Sequence, residues 1–163
     1  MRQILEILER DARLPHDTIA TMTGLPVAEV SAAIAAWEAA GAIRRYKAVV
    51  DWDAVDHDPT RETVTAFIDV SVAPARGVGF DDVATRIARF DEVRSVYLVS
   101  GSQDLRCTVT GPTIRAVSDF VSQKLSTIDR VRATATHFVL KTYKRDGDAF
   151  DRPTPDHRLP VTP

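Results

Sequence analysis

The sequence predicts an α+β chain of two small domains, a winged helix-turn-helix at the N-terminus followed by a ferredoxin-like βαββαβ domain. Three observations carry that prediction. Apolar residues recur at helical spacing in three short segments, with a Gly-containing turn between the second and third. A polar stretch from Asp51 to Glu62, with five Asp or Glu and one Pro, then marks a boundary. Beyond it, period-two segments and helical stripes follow in the order strand, helix, strand, strand, helix, strand.

In chain order, Ile4, Leu5, Ile7 and Leu8 set against Arg2, Glu6, Glu9 and Arg10 predict the first helix. Asp17 is the expected N-cap of a second, with Ile19, Ala20 and Met22 inward and Gly24 as its stop. Val30, Ile34 and Trp37 give the third helix its stripe from Val27 to Ala40, and Gly41 ends it. Ala42 to Val50 reads as a strand, the wing, which closes a domain over residues 1–50 ahead of a linker over 51–62.

The second domain is expected over residues 63–144. Thr63 to Val72 places Val64, Ala66, Ile68, Val70 and Val72 on one face of a half-buried strand. Val83, Ile87 and Phe90 mark a helix over Phe80–Phe90, and Ser95–Ser100 and Leu105–Thr110 read as strands joined by a hairpin loop, Gly101 to Asp104. Pro112 is expected at the first helical position, ahead of a stripe of Ile114, Val117, Val121 and Leu125. Val131–Lys141 is the last strand. From Arg145 onward the chain is polar, with four Pro in nineteen residues, and a disordered tail is expected over 145–163. This element order leaves one sheet face without helices. Phe67, Tyr97 and Val99 point to that face, so a second subunit is its economical cover and a homodimer is predicted.

Composition narrows the function classes. With 44% hydrophobic and 27% charged residues among 163, collagen-like and wholly disordered classes are excluded. No apolar run approaches the roughly 18 residues of a membrane span, and Met1 leads directly into an amphipathic segment, so a cytoplasmic protein without a membrane partner is expected. Cys107 is the only cysteine, which excludes an intrachain disulfide and a thiolate cluster. His16, His57, His137 and His157 lack metal-site spacing, and no nucleophile elbow is present. No metal, no cofactor and no enzymatic activity are therefore expected.

Net charge is −2, so a nucleic-acid footprint has to be local. Residues 1–50 hold six Lys or Arg and six Asp or Glu. Arg44, Arg45 and Lys47 nevertheless cluster just after the third helix, where they are placed to grip phosphates, unless they form only a solvated strand edge or pair with Glu or Asp across the dimer. His16, Thr18 and Thr21 on the second helix add hydrogen-bonding groups, and Arg2 is counted with the basic set. The third helix carries no Lys or Arg; Ala28, Ala32, Ala33, Ala35 and Ala36 dominate it, leaving base reading to Glu29 and Ser31. Weak readout of sequence is expected, with affinity drawn from phosphate contacts and from several dimers engaging one double-stranded DNA.

A helix-turn-helix, a strand, a linker and a βαββαβ domain together resemble the Lrp/AsnC, or feast/famine, family of transcription regulators. The likeness spans residues 1 to about 145 and rests on Ile19-Ala20, Gly24-Leu25, Val30 with Ile34, Glu38, Gly41-Ala42-Ile43, Tyr46, Ser100-Gly101 and Asp104. The resemblance implies DNA binding by the first domain, dimerisation by the second, assembly to tetramers or octamers, and a nucleoid-associated location. It also implies an effector, an amino acid or related metabolite, near the hairpin loop, with Gly101, Gln103 and Asp104 as contacts and Thr134 and Thr136 beside them. Physically, Gly101 permits close backbone approach to a carboxylate and Asp104 is able to accept from an α-ammonium group. The alternative is that Gly101 only permits the turn and Asp104 bonds to backbone.

Two rival readings share this architecture. One is a ligand-binding oligomeric scaffold that has lost DNA binding, which the alanine face of the third helix motivates. The other is a protein like the siroheme decarboxylases of a haem pathway. Those carry His-Cys-Tyr and Trp-Pro-Tyr stretches, where this chain has Arg94-Ser95-Val96-Tyr97 and Gln103-Asp104-Leu105-Arg106.

Overall fold

Helix α1 (Arg2–Arg10), α2 (His16–Thr23) and α3 (Val27–Ala39) bury Ile4, Ile7, Leu8, Ile19, Ala20, Val30 and Ile34 in one small core, with Leu14, Leu25, Trp37 and Ile43 packed on it. These and all positions below come from a computed structural model that describes residues 1–52, 63–73 and 79–150, divided into two compact units, Met1–Val50 and Asp51–Pro163. Axes of α2 and α3 bend by 110° at the turn between them. Gly24 makes that corner: at φ +70° it adopts the left-handed conformation, and Leu25 N–H closes back on the Ala20 carbonyl at 3.2 Å. Nothing lies within 4 Å of where its Cβ would stand, so the requirement is conformational, not steric.

Two expectations for this unit are corrected. Asp17 is not the N-cap: Pro15 holds that position, preset for the start of a helix, and the Asp17 carboxylate accepts from Thr18 N–H at 2.6 Å inside the first turn. No strand forms over residues 42–50, so there is no wing within these residues. A strand exists through its ladder partner. Residues 1–50 are otherwise helices and tight turns, and they contain no second extended segment to supply one.

In the second unit, β1 (Val64–Val72), α4 (Asp81–Ile87), β2 (Val93–Leu98), β3 (Leu105–Gly111), α5 (Ile114–Phe120) and β4 (Val131–Phe138) form an antiparallel sheet of order β2-β3-β1-β4 with two helices. Period-two placement in β1 puts the apolar Ala66, Ile68, Val70 and Val72 on the helix side, where they pack with Leu105, Cys107 and Val109 of β3 against Val83, Ile87, Val117, Phe120 and Leu125. The side chain of Phe67, 43% exposed, and that of Tyr97, 59% exposed, stand away from this core. Pro112 lies before the helix rather than at its first position. Thr113 is the N-cap, its hydroxyl accepting from Ala116 N–H at 3.0 Å, and a side-chain acceptor in that place starts α5 at Ile114. Past Phe120 the helix loosens into one π turn, Val121–Leu125.

The expected tail is corrected at its start. Lys144–Arg145 (β5) and Asp148–Ala149 (β6) pair as a hairpin around Asp146–Gly147, both at positive φ, the geometry that Asp-Gly favours in a two-residue turn. Arg145 lies 4.5 Å from the Phe150 ring centroid, and Phe150 N–H reaches the Tyr143 carbonyl. Most of the expected linker, 53–62, and the tail beyond Phe150 lie outside the described residues.

Candidate functional site

Because directly paired residues of an antiparallel sheet share a face, the register lines up Tyr97, Arg106, Asp69 and Ala135 across β2, β3, β1 and β4 on the side away from the helices. Arg106 donates from Nε to Asp69 Oδ1 at 2.6 Å and from Nη2 to Oδ2 at 2.9 Å, a bidentate fork. His137, on the neighbouring row, brings Nε2 to 3.6 Å from Asp69 Oδ2, an ion pair only when the imidazole is protonated. Asp69 is 7% exposed, covered by these partners rather than by depth in the core. The bond from Arg106 holds the Asp69 carboxyl below its ordinary range, outweighing desolvation, with the charges of Arg106 and His137 adding to it. Cys107, next along β3, is pushed up to about 11 by burial, with Asp69 contributing, and stays an unreactive thiol at neutral pH.

Beside this fork lies a cleft of about 530 Å³, lined by Asp69, Arg106 and residues 98–103 of the β2 end and hairpin loop. Of the predicted ligand residues, Gly101 (φ +140°) and Gln103 line it. Asp104 does not. Its Oδ2 accepts from Val72 N–H at 2.8 Å and its own N–H donates to the Val70 carbonyl, so it stitches the loop to β1. Thr134 and Thr136 pair with Val70 and Ile68, on the helix side of the sheet and away from the cleft. Asp69 and Arg106 escaped sequence reasoning because 37 residues separate them. The available signal was one acid interrupting an apolar strand and one base interrupting another.

In the first unit, His16 Nδ1 and Ser31 Oγ lie 2.9 Å apart, joining the start of α2 to α3. Thr18 and Thr21 are exposed on α2, Thr21 donating to the Asp17 carbonyl; Glu29 is exposed on α3. Arg2 pairs with Glu6 across one helical turn. Arg44, Arg45 and Lys47 are exposed on the segment after α3, which is neither helix nor strand. Tyr46 in their midst donates to Glu38 Oε1 at 2.8 Å, tethering that segment to the end of the third helix; burial and Glu38 raise the phenol's pKa. Among the described residues no group of three or more His, Cys, Asp or Glu is arranged to hold a metal, and no single helix is long and apolar enough to cross a membrane.

Residues 65–149, which include the fork, the cleft and the terminal hairpin, match the Lrp/AsnC ligand binding domain. The chain belongs to the Lrp/AsnC family. Its relatives include the HTH-type transcriptional regulator YugG of Bacillus subtilis, 50% identical over 161 residues, covering 99% of this chain and 95% of YugG. Among solved structures, the LrpA regulator of Mycobacterium tuberculosis is similar with a TM-score of 0.71 at 27% identity, over 92% of this chain and 97% of that one. A transcriptional regulator of Neisseria meningitidis in complex with L-Met is similar with a TM-score of 0.67 at 25% identity, over 93% of this chain and 92% of that one. The relatives are named transcriptional regulators, and this chain is a transcriptional regulator rather than an enzyme.

Proposed function

We propose that this chain is a DNA-binding regulator whose assembly or DNA affinity responds to an amino acid or related small metabolite held at the hairpin cleft. The observation that carries this reading is the cleft itself, polar and built around a fixed ion pair, inside the residues that match the family's ligand-binding domain. The Neisseria relative in complex with L-Met supports the ligand class. In this reading the ferredoxin-like second unit pairs two copies through the sheet face bearing Phe67 and Tyr97, and dimers assemble further to tetramers or octamers in the cytoplasm. Double-stranded DNA is held by Arg44, Arg45 and Lys47 on phosphates, with His16, Thr18, Thr21, Arg2, Glu29 and Ser31 nearby; Gly101 and Gln103 contact the effector.

Thermal shift of the full chain against the twenty amino acids and their keto acids tests the effector; a ligand at 100 times its Kd stabilises by about 2.7 kcal/mol. A salt series on binding to the upstream region of its own gene tests the DNA grip. Each phosphate contact contributes a slope of about −0.9 in log K against log salt, so Arg44→Ala and Arg45→Ala should each shallow it by about that amount. The exposed alanines of α3 favour one other reading, a scaffold without DNA binding, and a wild-type slope near zero would select it.

A further inference from the structure

Glu38 stands in the last turn of α3, and Gly41, at φ +69°, turns the chain back over that end. The N–H groups of Ala42 and Ile43 both close on the Trp37 carbonyl, at 2.9 and 3.2 Å, and the Ile43 side chain packs on the core of the first unit. That is one anchor. The second comes three residues on, where the Tyr46 hydroxyl donates to Glu38 Oε1 at 2.8 Å. Burial and Glu38 hold the phenol above its ordinary range, so it stays a donor at neutral pH. Arg44 and Arg45 fill the interval between the anchors and Lys47 follows it. Arg44 lies back over the turn, with Nη1 3.9 Å from where a Gly41 Cβ would stand. No helix or strand order holds residues 44–47, so ties such as these set the path of the chain. Glu38 is otherwise out of place: a carboxylate in a surface that grips phosphates adds repulsion.

Resting on the reading above that Arg44, Arg45 and Lys47 hold DNA, we propose that Glu38 and Tyr46 are positioning residues for that grip: their bond lays the basic segment along the end of α3, so that its cations meet phosphates in one register. Neither side chain has to touch DNA. Fixing the segment before DNA arrives removes an ordering cost that binding would otherwise meet. The tie also reverses what simple electrostatics expects. Removing an acid from a DNA-binding surface ordinarily strengthens binding, because one repulsion disappears; removing Glu38 releases the segment and weakens binding instead. Glu38→Gln separates the two effects. Its amide oxygen still accepts from Tyr46 but carries no charge, so the tie stays and the repulsion goes. Tyr46→Phe does the converse, keeping the ring and the Glu38 charge while losing the hydroxyl.

The full chain is titrated with a duplex carrying the upstream region of its own gene over a series of salt concentrations, as wild type, Tyr46→Phe, Glu38→Ala, Glu38→Gln and the Tyr46→Phe/Glu38→Ala double variant. Tyr46→Phe and Glu38→Ala should each weaken binding about three- to tenfold, the scale of one hydrogen bond. Each should also shallow the slope of log K against log salt by about 0.9 for every phosphate contact released. The double variant should lose no more than either single one, since both cut the same bond. Glu38→Gln should keep the wild-type slope and bind at least as tightly as wild type. Tighter binding by Glu38→Ala, equal to that of Glu38→Gln, would show an acid that only repels DNA and overturns the proposal. So do wild-type binding by Tyr46→Phe and losses that add in the double variant. If Glu38→Ala melts below the assay temperature, Tyr46→Phe against Glu38→Gln decides, the first expected to lose slope and the second to keep it. A wild-type slope near zero defeats the DNA reading and this one with it. A steep wild-type slope that no variant alters defeats this one alone.

Discussion

Arg44 and Arg45 stand exposed on an irregular segment tethered through Tyr46 to Glu38, whereas Arg106 is clamped by two bonds to a carboxylate that is 7% exposed. The two placements suit different partners. A phosphate backbone is a repeating line of charge that mobile, solvated cations follow at little cost, and its attraction is screened by salt. A small ligand is bound once, in one pose, and gains from charges whose geometry is set before it arrives. The scaffolds differ in the same sense: seven buried residues form the core of the first unit, and a sheet paired in register across four strands underlies the fork.

The sharpest way to break that contrast is to weaken each core in turn. Ile34, 3% exposed, and Ile68, fully buried, should each lose about 2–5 kcal/mol of stability on substitution by Ala, the usual range for a buried Ile→Ala change. The same loss is a larger share of the smaller core, so Ile34→Ala should abolish DNA binding while the amino-acid thermal shift persists. Loss of both in Ile34→Ala would mean that the two units melt as one. The fork gives a second contrast through pH. A carboxyl held below its ordinary value, 3.8, contributes stability that is fully present above that pH and is lost as pH falls through the lower folded value. Urea melts from pH 6 to 2 should therefore show an acid limb in wild type that shrinks in Asp69→Asn.

Where a residue's environment is set by its near neighbours in sequence, the chain announced its structure. Val64 to Val72 alternates because one face meets helices, and burial of Ala66, Ile68, Val70 and Val72 follows that period. The corner at Gly24 was legible for the same reason, since the left-handed residue is local chemistry. The Asp69–Arg106 fork was not, because only the pairing of β1 with β3 brings residues 37 apart face to face. Ala42–Val50 has the composition of a strand, but composition cannot supply a ladder partner. Asp146–Gly147 is a two-residue turn signal at the start of a segment whose four prolines in nineteen residues otherwise favour disorder, and local turn chemistry prevails there.

The smallest effect separates α5 from the helices of the first unit by how they begin; α4, preceded by Phe80, has no side-chain cap either. Met1, Pro15 and Pro26 precede α1, α2 and α3 without a side-chain cap, whereas Thr113 accepts from Ala116 N–H at the start of α5. Thr113→Ala removes the acceptor of an otherwise orphaned donor and should cost about 1 kcal/mol. Thr113→Ser keeps the oxygen and should restore most of it; Thr113→Val keeps the shape without the oxygen and should not. Pro15→Ala and Pro26→Ala remove no acceptor. Their effect should be confined to the greater freedom of the unfolded chain, about 0.4–1 kcal/mol. Melting curves of the five variants sharpen the comparison if only the Thr113 series tracks the presence of the oxygen. A Val variant as stable as Ser would show instead that α5 is held by the packing of Val117 and Phe120 alone.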